Sequence, residues 1–327
     1  MPQAFSFEEY CRPFGPRAPW NTSAESVPRH PKSTTFAKRL WHRASDRPGN
    51  FNLTFDGYTY PVYYVADSVG LYPIKTRWGS NIDGKNIPWN PRWQPASGSD
   101  AQVIILDPDT GTEWDLFDVR FDGTTLHAQN GSRVPGDYRR KEDGHPPSRG
   151  IGIQYLAMLV RPEEIAQGEI RHALSMPIRN TNGKYFVPPA TKLEWPDNPA
   201  NGIPEGMRFA LDVSDHDIDE WLHMLPRGLS ESTRKSARII ATALREYGWF
   251  ITDTSGAAHL QFEDRLTAEE DWRKLGLEMQ TVGGKEYPRD LLDGLFKEER
   301  IYTLVPSDQY SVTSSDGVEK ESESICY

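Results

Sequence analysis

Cysteine is nearly absent from this chain of 327 residues: Cys11 and Cys326 are the only two, one near each end. Two such thiols build no disulfide framework and no cysteine-rich zinc site; they either bridge the termini or stay free. Long apolar runs are missing too, so no membrane-spanning helix is expected. The opening residues Met1-Pro2-Gln3-Ala4-Phe5-Ser6 do not read as a signal peptide, which leaves a cytosolic protein or a chain whose leader has been removed. Positive charge is in deficit, with 37 Lys and Arg against 47 Asp and Glu for a formal net charge of -10. That balance argues against non-specific nucleic-acid binding and against an anionic membrane surface, although a local basic cleft can override a net sign.

Several signatures of well-known chemistries are also lacking. There is no Gly-x-x-x-x-Gly-Lys phosphate loop, no Gly-x-Gly-x-x-Gly fingerprint, no His-Glu-x-x-His zinc helix and no Gly-x-Ser-x-Gly elbow. Gly150-Ile151-Gly152 lacks the third glycine and the βαβ context. Among the eight histidines only His216, with Asp219 or Glu220, approaches metal-ligand spacing, and it sits at a helix start where solvent exposure explains it as well. No cofactor and no metal ion is therefore expected.

What the chain has in quantity is aromatic residues, with 10 Trp and 14 Tyr, and turn formers, with 26 Gly and 26 Pro. Sequons at Asn21, Asn52 and Asn130 read first as turn chemistry and second as glycosylation, and with the aromatic content they favour export. Residues 1–50 are expected to be an irregular, proline-rich arm wrapping the body, with one short helix from Ser33 to Trp41. Residues 51–306 are expected to form a single β-rich domain with inserted helices, and residues 307–327 a Ser- and acid-rich mobile tail. The fold class is mainly β, a sandwich or jelly-roll-like body with helical insertions.

Within that body, Phe51–Phe55 and Tyr58–Tyr60 read as a hairpin around Asp56-Gly57. Residues 72–95 read as a long loop carrying Trp78, Trp89 and Trp93. Val103–Leu106 and Glu113–Val119 form the clearest hairpin, turning at residues 107–111. Alternation places Trp114, Leu116 and Asp118 on one face and Asp115, Phe117 and Val119 on the other. Pro162-Glu163-Glu164 opens a short helix ending near Gly168. Ile170–Ile178 is a predicted strand carrying His172. A capping box at Ser214 and Asp217 starts one helix, a second runs from about Ser232 to Tyr247 with Gly248 as its stop, and Thr267 with Glu270 opens a third.

Asp115 and Asp253 sit on predicted strands beside aromatic residues, where a carboxyl group takes a raised pKa and can serve as a general acid. Two carboxyls across a sugar ring are the minimum for glycoside hydrolysis. The simpler reading is that each caps a turn. His172 is either a proton-transfer or orienting group or a hydrogen-bonded core histidine. Trp78, Trp89, Trp93 and Trp114 offer flat platforms for sugars, or pin loops to the core. Arg149, Arg161, Arg171 and Lys184 are candidates for a basic patch. With His172 and a tyrosine, Tyr155 or Tyr247, such a patch would suit β-elimination on a uronic acid.

The chain resembles a family of bacterial proteins common in secreted form in actinomycetes, whose activity is not characterised. The resemblance rests on Trp20-Asn21, residues 107–111 leading to Trp114-Asp115, Leu159–Ile165, Gly168–Leu174 and Tyr247-Gly248-Trp249 with Asp253. Family members commonly carry tyrosine in place of Trp114 and glutamate in place of Asp115. The resemblance implies that Asp115, His172 and Asp253 lie near one site; it implies no reaction. The combined expectation is a secreted polysaccharide-degrading glycoside hydrolase whose partner is a carbohydrate polymer. Asp115, His172 and Asp253 are its catalytic candidates, and Trp78, Trp89, Trp93, Trp114, Arg149, Arg171 and Tyr247 its substrate-binding ones. A uronate lyase and a non-catalytic sugar-binding or structural protein are the alternatives.

Overall fold

A computed structural model describes residues 18–134 and 146–306. Along the chain come α1 (Ser33–Arg43), β1 (Phe51–Thr54), β2 (Val62–Tyr64), β3 (Gly70–Thr76) and β4 (Asn86–Trp89). There follow β5 (Val103–Asp107), β6 (Thr112–Phe117), β7 (Arg120–Phe121), β8 (Leu126–Ala128), β9 (Asn130–Val134), α2 (Pro162–Gln167) and β10 (Leu174–Ile178). Next are β11 (Arg208–Leu211), α3 (Asp215–Met224), α4 (Glu231–Glu246), β12 (Trp249–Thr254) and β13 (Ala258–Gln261). Last are α5 (Arg265–Lys274), β14 (Gln280–Val282), β15 (Lys285–Tyr287) and β16 (Ile301–Thr303).

The fold is mixed α/β, and its strands form five small sheets among the described residues. One four-stranded sheet runs β2-β5-β6-β9, a second β4-β3-β8-β7 and a third β10-β12-β11-β16. β1 pairs in parallel with β13, and β14 with β15 is a hairpin. Each four-stranded sheet contains one parallel pair: β2 with β5, β3 with β8, and β10 with β12. The largest core joins α1, through Phe36, Ala37, Leu40 and Ala44, to the strands and helices of the second half. The N-terminal helix therefore belongs to the main core. A separate core, built on Ile74, Trp89, Trp93 and Leu116, serves the β3–β9 region.

Local chemistry explains the helices. Ser214 and Asp217 close a reciprocal capping box on α3. The Ser230 hydroxyl accepts from the Thr233 amide at the start of α4. Gly248 stops α4 at φ 69°, and a Cβ there would meet the Phe209 carbonyl oxygen at 1.9 Å. Replacing Gly248 by Ala forces an L side chain into that contact and into a left-handed conformation. Its expected cost is about 2 kcal/mol or more, read as a lowered urea midpoint.

Five local expectations change. β1 does not turn back at Gly57; it pairs with β13, more than two hundred positions away. The stretch read as an aromatic loop contains the antiparallel pair β3 and β4, and Trp89 and Trp93 are buried in the core beside Tyr63. His172 precedes β10 rather than lying in it. α5 starts earlier than Thr267 and is capped by the Asp264 carboxylate. The β5–β6 hairpin forms as expected, but alternation ends at Asp118, which takes φ 49°. Val119 then joins the core of Leu116 instead of the face of Asp115.

Candidate functional site

β6 places Glu113 and Asp115 two residues apart, so both carboxyls point to the same face. Both are fully buried. The Leu156 amide donates to Glu113 Oε1 at 2.8 Å, and the Tyr155 amide donates to Asp115 Oδ2 at 3.3 Å. The other two oxygens, Glu113 Oε2 and Asp115 Oδ1, are buried without a hydrogen-bond donor. Burial, and then the neighbouring Glu113 charge, push the Asp115 pKa well above the usual carboxylate range. Burial raises that of Glu113 as well, so the two carboxyls titrate together and not independently. Replacing Glu113 by Gln removes the charge that raises Asp115, so the Asp115 pKa is expected to fall. Carboxyl NMR titration reads that shift directly.

Arg149 lies behind this pair and is 1% exposed. Its guanidinium donates to Ser175 Oγ at 2.6 Å, to the Ala157 carbonyl at 3.0 Å, to Gln261 Oε1 at 3.5 Å and to the Tyr155 carbonyl. It sits 5.2 Å from the ring centre of Tyr60, which stacks on Tyr155 at 4.3 Å. A buried guanidinium needs compensating negative charge. Glu113, Asp115 and Asp253 all feel its field.

Asp253 closes the other side. The Thr254 amide donates to its Oδ1 at 2.9 Å and the Gly150 amide to its Oδ2 at 3.3 Å. A Cβ on Gly150 would lie 2.5 Å from that carboxyl, so glycine is what permits the approach. Glu194 lies beside Asp253, and its amide donates to Glu205 Oε2 at 3.2 Å. Burial first, then the Glu194 charge, push Asp253 well above the usual range. Burial raises Glu194 as well, with the neighbouring Asp253 pulling the other way. Lys192, facing all three carboxyls, has its pKa lowered by burial against their opposing pull. Asp253, Glu194 and Lys192 keep partial contact with solvent, whereas Asp115 and Glu113 have none.

The structure thus brings Asp115, Asp253 and Arg149 into one electrostatic network. His172 is engaged elsewhere: its Nδ1 meets the Ala173 carbonyl at 2.9 Å and its Nε2 meets Glu164 Oε1 at 3.0 Å. Glu164 in turn accepts from the Arg161 amide at the start of α2. The basic patch expected from Arg149, Arg161, Arg171 and Lys184 does not form. Arg149 is buried, Arg161 is held by Glu263 and Glu163, Arg171 pairs with Glu169, and Lys184 donates to the Pro196 carbonyl.

Of the aromatic candidates, Trp89 and Trp93 are core residues, and Trp114 is half-buried near Arg133. Tyr247 caps α4 and packs at the edge of a core cluster. Trp78 alone is well exposed, stacked on Phe117. Sequence reasoning missed a different set. Tyr185, Phe186 and Trp195 are 47%, 38% and 56% exposed, and Trp195 directly follows Glu194. The available signal was an aromatic pair and a Glu-Trp step in a proline-rich, strandless stretch. Glu113 was visible as Glu-x-Asp on one strand face.

Two surface concavities, of about 250 Å³ beside α1 and about 790 Å³ beside α3 and α4, contain neither Asp115 nor Asp253. Among the described residues no group of three or more His, Cys, Asp or Glu side chains is arranged to hold a metal ion. No described helix is long and apolar enough to cross a membrane. Comparison with family models, with curated proteins and with solved structures found no match.

Proposed function

We propose that the chain is a carbohydrate-cleaving hydrolase in which Asp253 is the general acid. One coincidence supports this most. The segment carrying the exposed rings of Tyr185, Phe186 and Trp195 also carries Glu194, whose charge helps to raise the Asp253 pKa. Exposed rings offer faces to sugars, and a carboxyl whose pKa is raised well above the usual range is suited to protonate a glycosidic oxygen. Asp115, tuned in the same way by Glu113 across Arg149, is the second carboxyl of this reading. Tyr155 and Leu156 close it off, so its participation requires that segment to open. In the same reading the sheets β2-β5-β6-β9 and β10-β12-β11-β16, which both supply the network, are the layers of a sandwich-like body.

Elimination is the second reading, and Lys192 favours it. A desolvated lysine beside the acids is a better candidate base than His172. Incubation with a polysaccharide panel separates the alternatives. Reducing ends without unsaturated product indicate hydrolysis, and reducing ends with absorbance from unsaturated sugars indicate elimination. Binding with neither product would leave a sugar-binding protein and remove the enzyme. If turnover occurs and Asp115→Asn leaves it unchanged, Asp115 is confined to a structural role.

A further inference from the structure

α1 is unlike the other helices. Its eleven residues include Lys38, Arg39, His42 and Arg43 and no acid. Elsewhere most helix cations meet a carboxylate; in α4, Arg234 instead donates to the Leu222, Leu225 and Pro226 carbonyls, and Lys235 has no carboxylate partner among the described residues. In α5, Arg265 pairs with Glu269, Arg273 with Glu270 and Lys274 with Asp271. α4 pairs Arg238 and Arg245 with Asp219 and Asp215 of α3. On α1 only His42 finds a carboxylate, that of Glu298 at 3.0 Å. Among the described residues Lys38 and Arg43 have none, and Arg39 donates to the Gly202 carbonyl at 3.2 Å.

These cations share one side of the helix. Phe36, Ala37, Leu40 and Ala44 are buried, while Thr35, Lys38, His42 and Arg43 face outward. The groove of about 250 Å³ is lined by Thr35, Lys38, Arg39, His42 and Arg43 and is walled opposite by Asn201. Asn201 lies on the segment that also brings Asn198 to Thr254 Oγ1 at 3.1 Å and Glu194 to the Thr254 amide at 2.8 Å. The basic groove and the Asp253–Glu194 pair are therefore linked through one loop.

We propose that this groove binds an anionic polysaccharide, a chain bearing carboxylate or sulfate groups. In a protein of net charge -10, like charges left adjacent and unpaired repel one another, and an anion seated among them relieves that cost. α1 spans about 16 Å, the scale of a short run of sugar units rather than of one small ion. A flexible single chain meets the groove alone. A rigid duplex would also press against the acidic remainder of the surface. The choice of a glycan as carrier of the charge rests on the reading of the Asp253 site given above.

The test is binding of polygalacturonate and of neutral dextran to the full chain, at rising salt, for the wild type and for Lys38→Glu/Arg43→Glu. Both substitutions fall on exposed side chains, and circular dichroism checks that the variant folds. Polygalacturonate is expected to bind more tightly than dextran, to weaken steadily with salt, and to lose at least about tenfold in affinity in the variant. Equal, salt-insensitive binding of both polymers would overturn the proposal. So would an unchanged affinity in the variant, or tighter binding of duplex DNA or polyglutamate than of polygalacturonate. Salt-sensitive binding without cleavage would uphold the groove while removing the hydrolase; cleavage of neutral glycans only would do the reverse.

Discussion

Replacing Arg149 by Met is expected to cost about 3–5 kcal/mol of stability, the range for removing one partner from a buried, hydrogen-bonded ionic network. The guanidinium joins the Tyr155 and Ala157 carbonyls to Ser175 and Gln261, so its loss strands acceptors from β10, β13 and the segment before α2. It also removes the positive charge that Glu113, Asp115 and Asp253 feel. Lysine should not rescue it, because one ammonium cannot reproduce a planar fork that reaches several acceptors at once. Urea denaturation reads the effect as a lowered midpoint. A variant as stable as wild type would show that the network is not held by this side chain.

The second large effect concerns turnover. On any glycan that the wild type cleaves, Asp253→Asn is expected to lower kcat by about 10²–10⁴, the usual contribution of a positioned acid. Glu194→Gln should act differently. It leaves a polar neighbour but removes the charge that helps to raise the Asp253 pKa. The acidic partner therefore ionises at lower pH, and the alkaline limb of the pH–rate profile moves down. Loss of rate with an unmoved profile would make Glu194 structural.

The same shifts set a stability profile of unusual sign. Asp115 and Asp253 have folded pKa values raised above their unfolded values. Between those values the native state binds more protons than the unfolded one, so stability falls as pH rises. Their contribution is complete below the unfolded carboxyl pKa, about 3.9 for aspartate, and is lost as pH climbs through the raised folded values. Asparagine at either position removes that dependence, because the amide carries no charge to desolvate. Asp115→Asn, at the fully buried site, should therefore be the more stable protein at neutral and alkaline pH if the amide keeps the bond from Tyr155. Parallel urea titrations across pH measure the difference in slope.

Much of this fold was legible because it is local. The Ser214 capping box, the Gly248 stop, the turn before Thr112 and the Pro162 helix start are written within a few residues of where they act. What failed was non-local. Nothing near Phe51 says that it pairs with Ala258, and Asp56-Gly57 offers a plausible turn in its place. Trp89 and Trp93 look the same in sequence whether they face sugar or core; burial against Tyr63 and Phe121 decides it. Apolar surroundings raise both aspartate pKa values, but each shift also needs a neighbouring glutamate. Glu113 was readable from strand alternation. Glu194 was not, because it comes from a loop some sixty positions before Asp253. His172 resembles a site residue in its sequence context, but its imidazole meets Glu164.

The most direct measurement is the titration of the Asp253 carboxyl itself, followed by carbon NMR in the wild type and in Glu194→Gln. Asp253 should titrate well above the ordinary aspartate value in the wild type and move down when the Glu194 charge is removed. A wild-type Asp253 that titrates at or below the ordinary value would contradict the raised pKa, and with it the role of Asp253 as the acid.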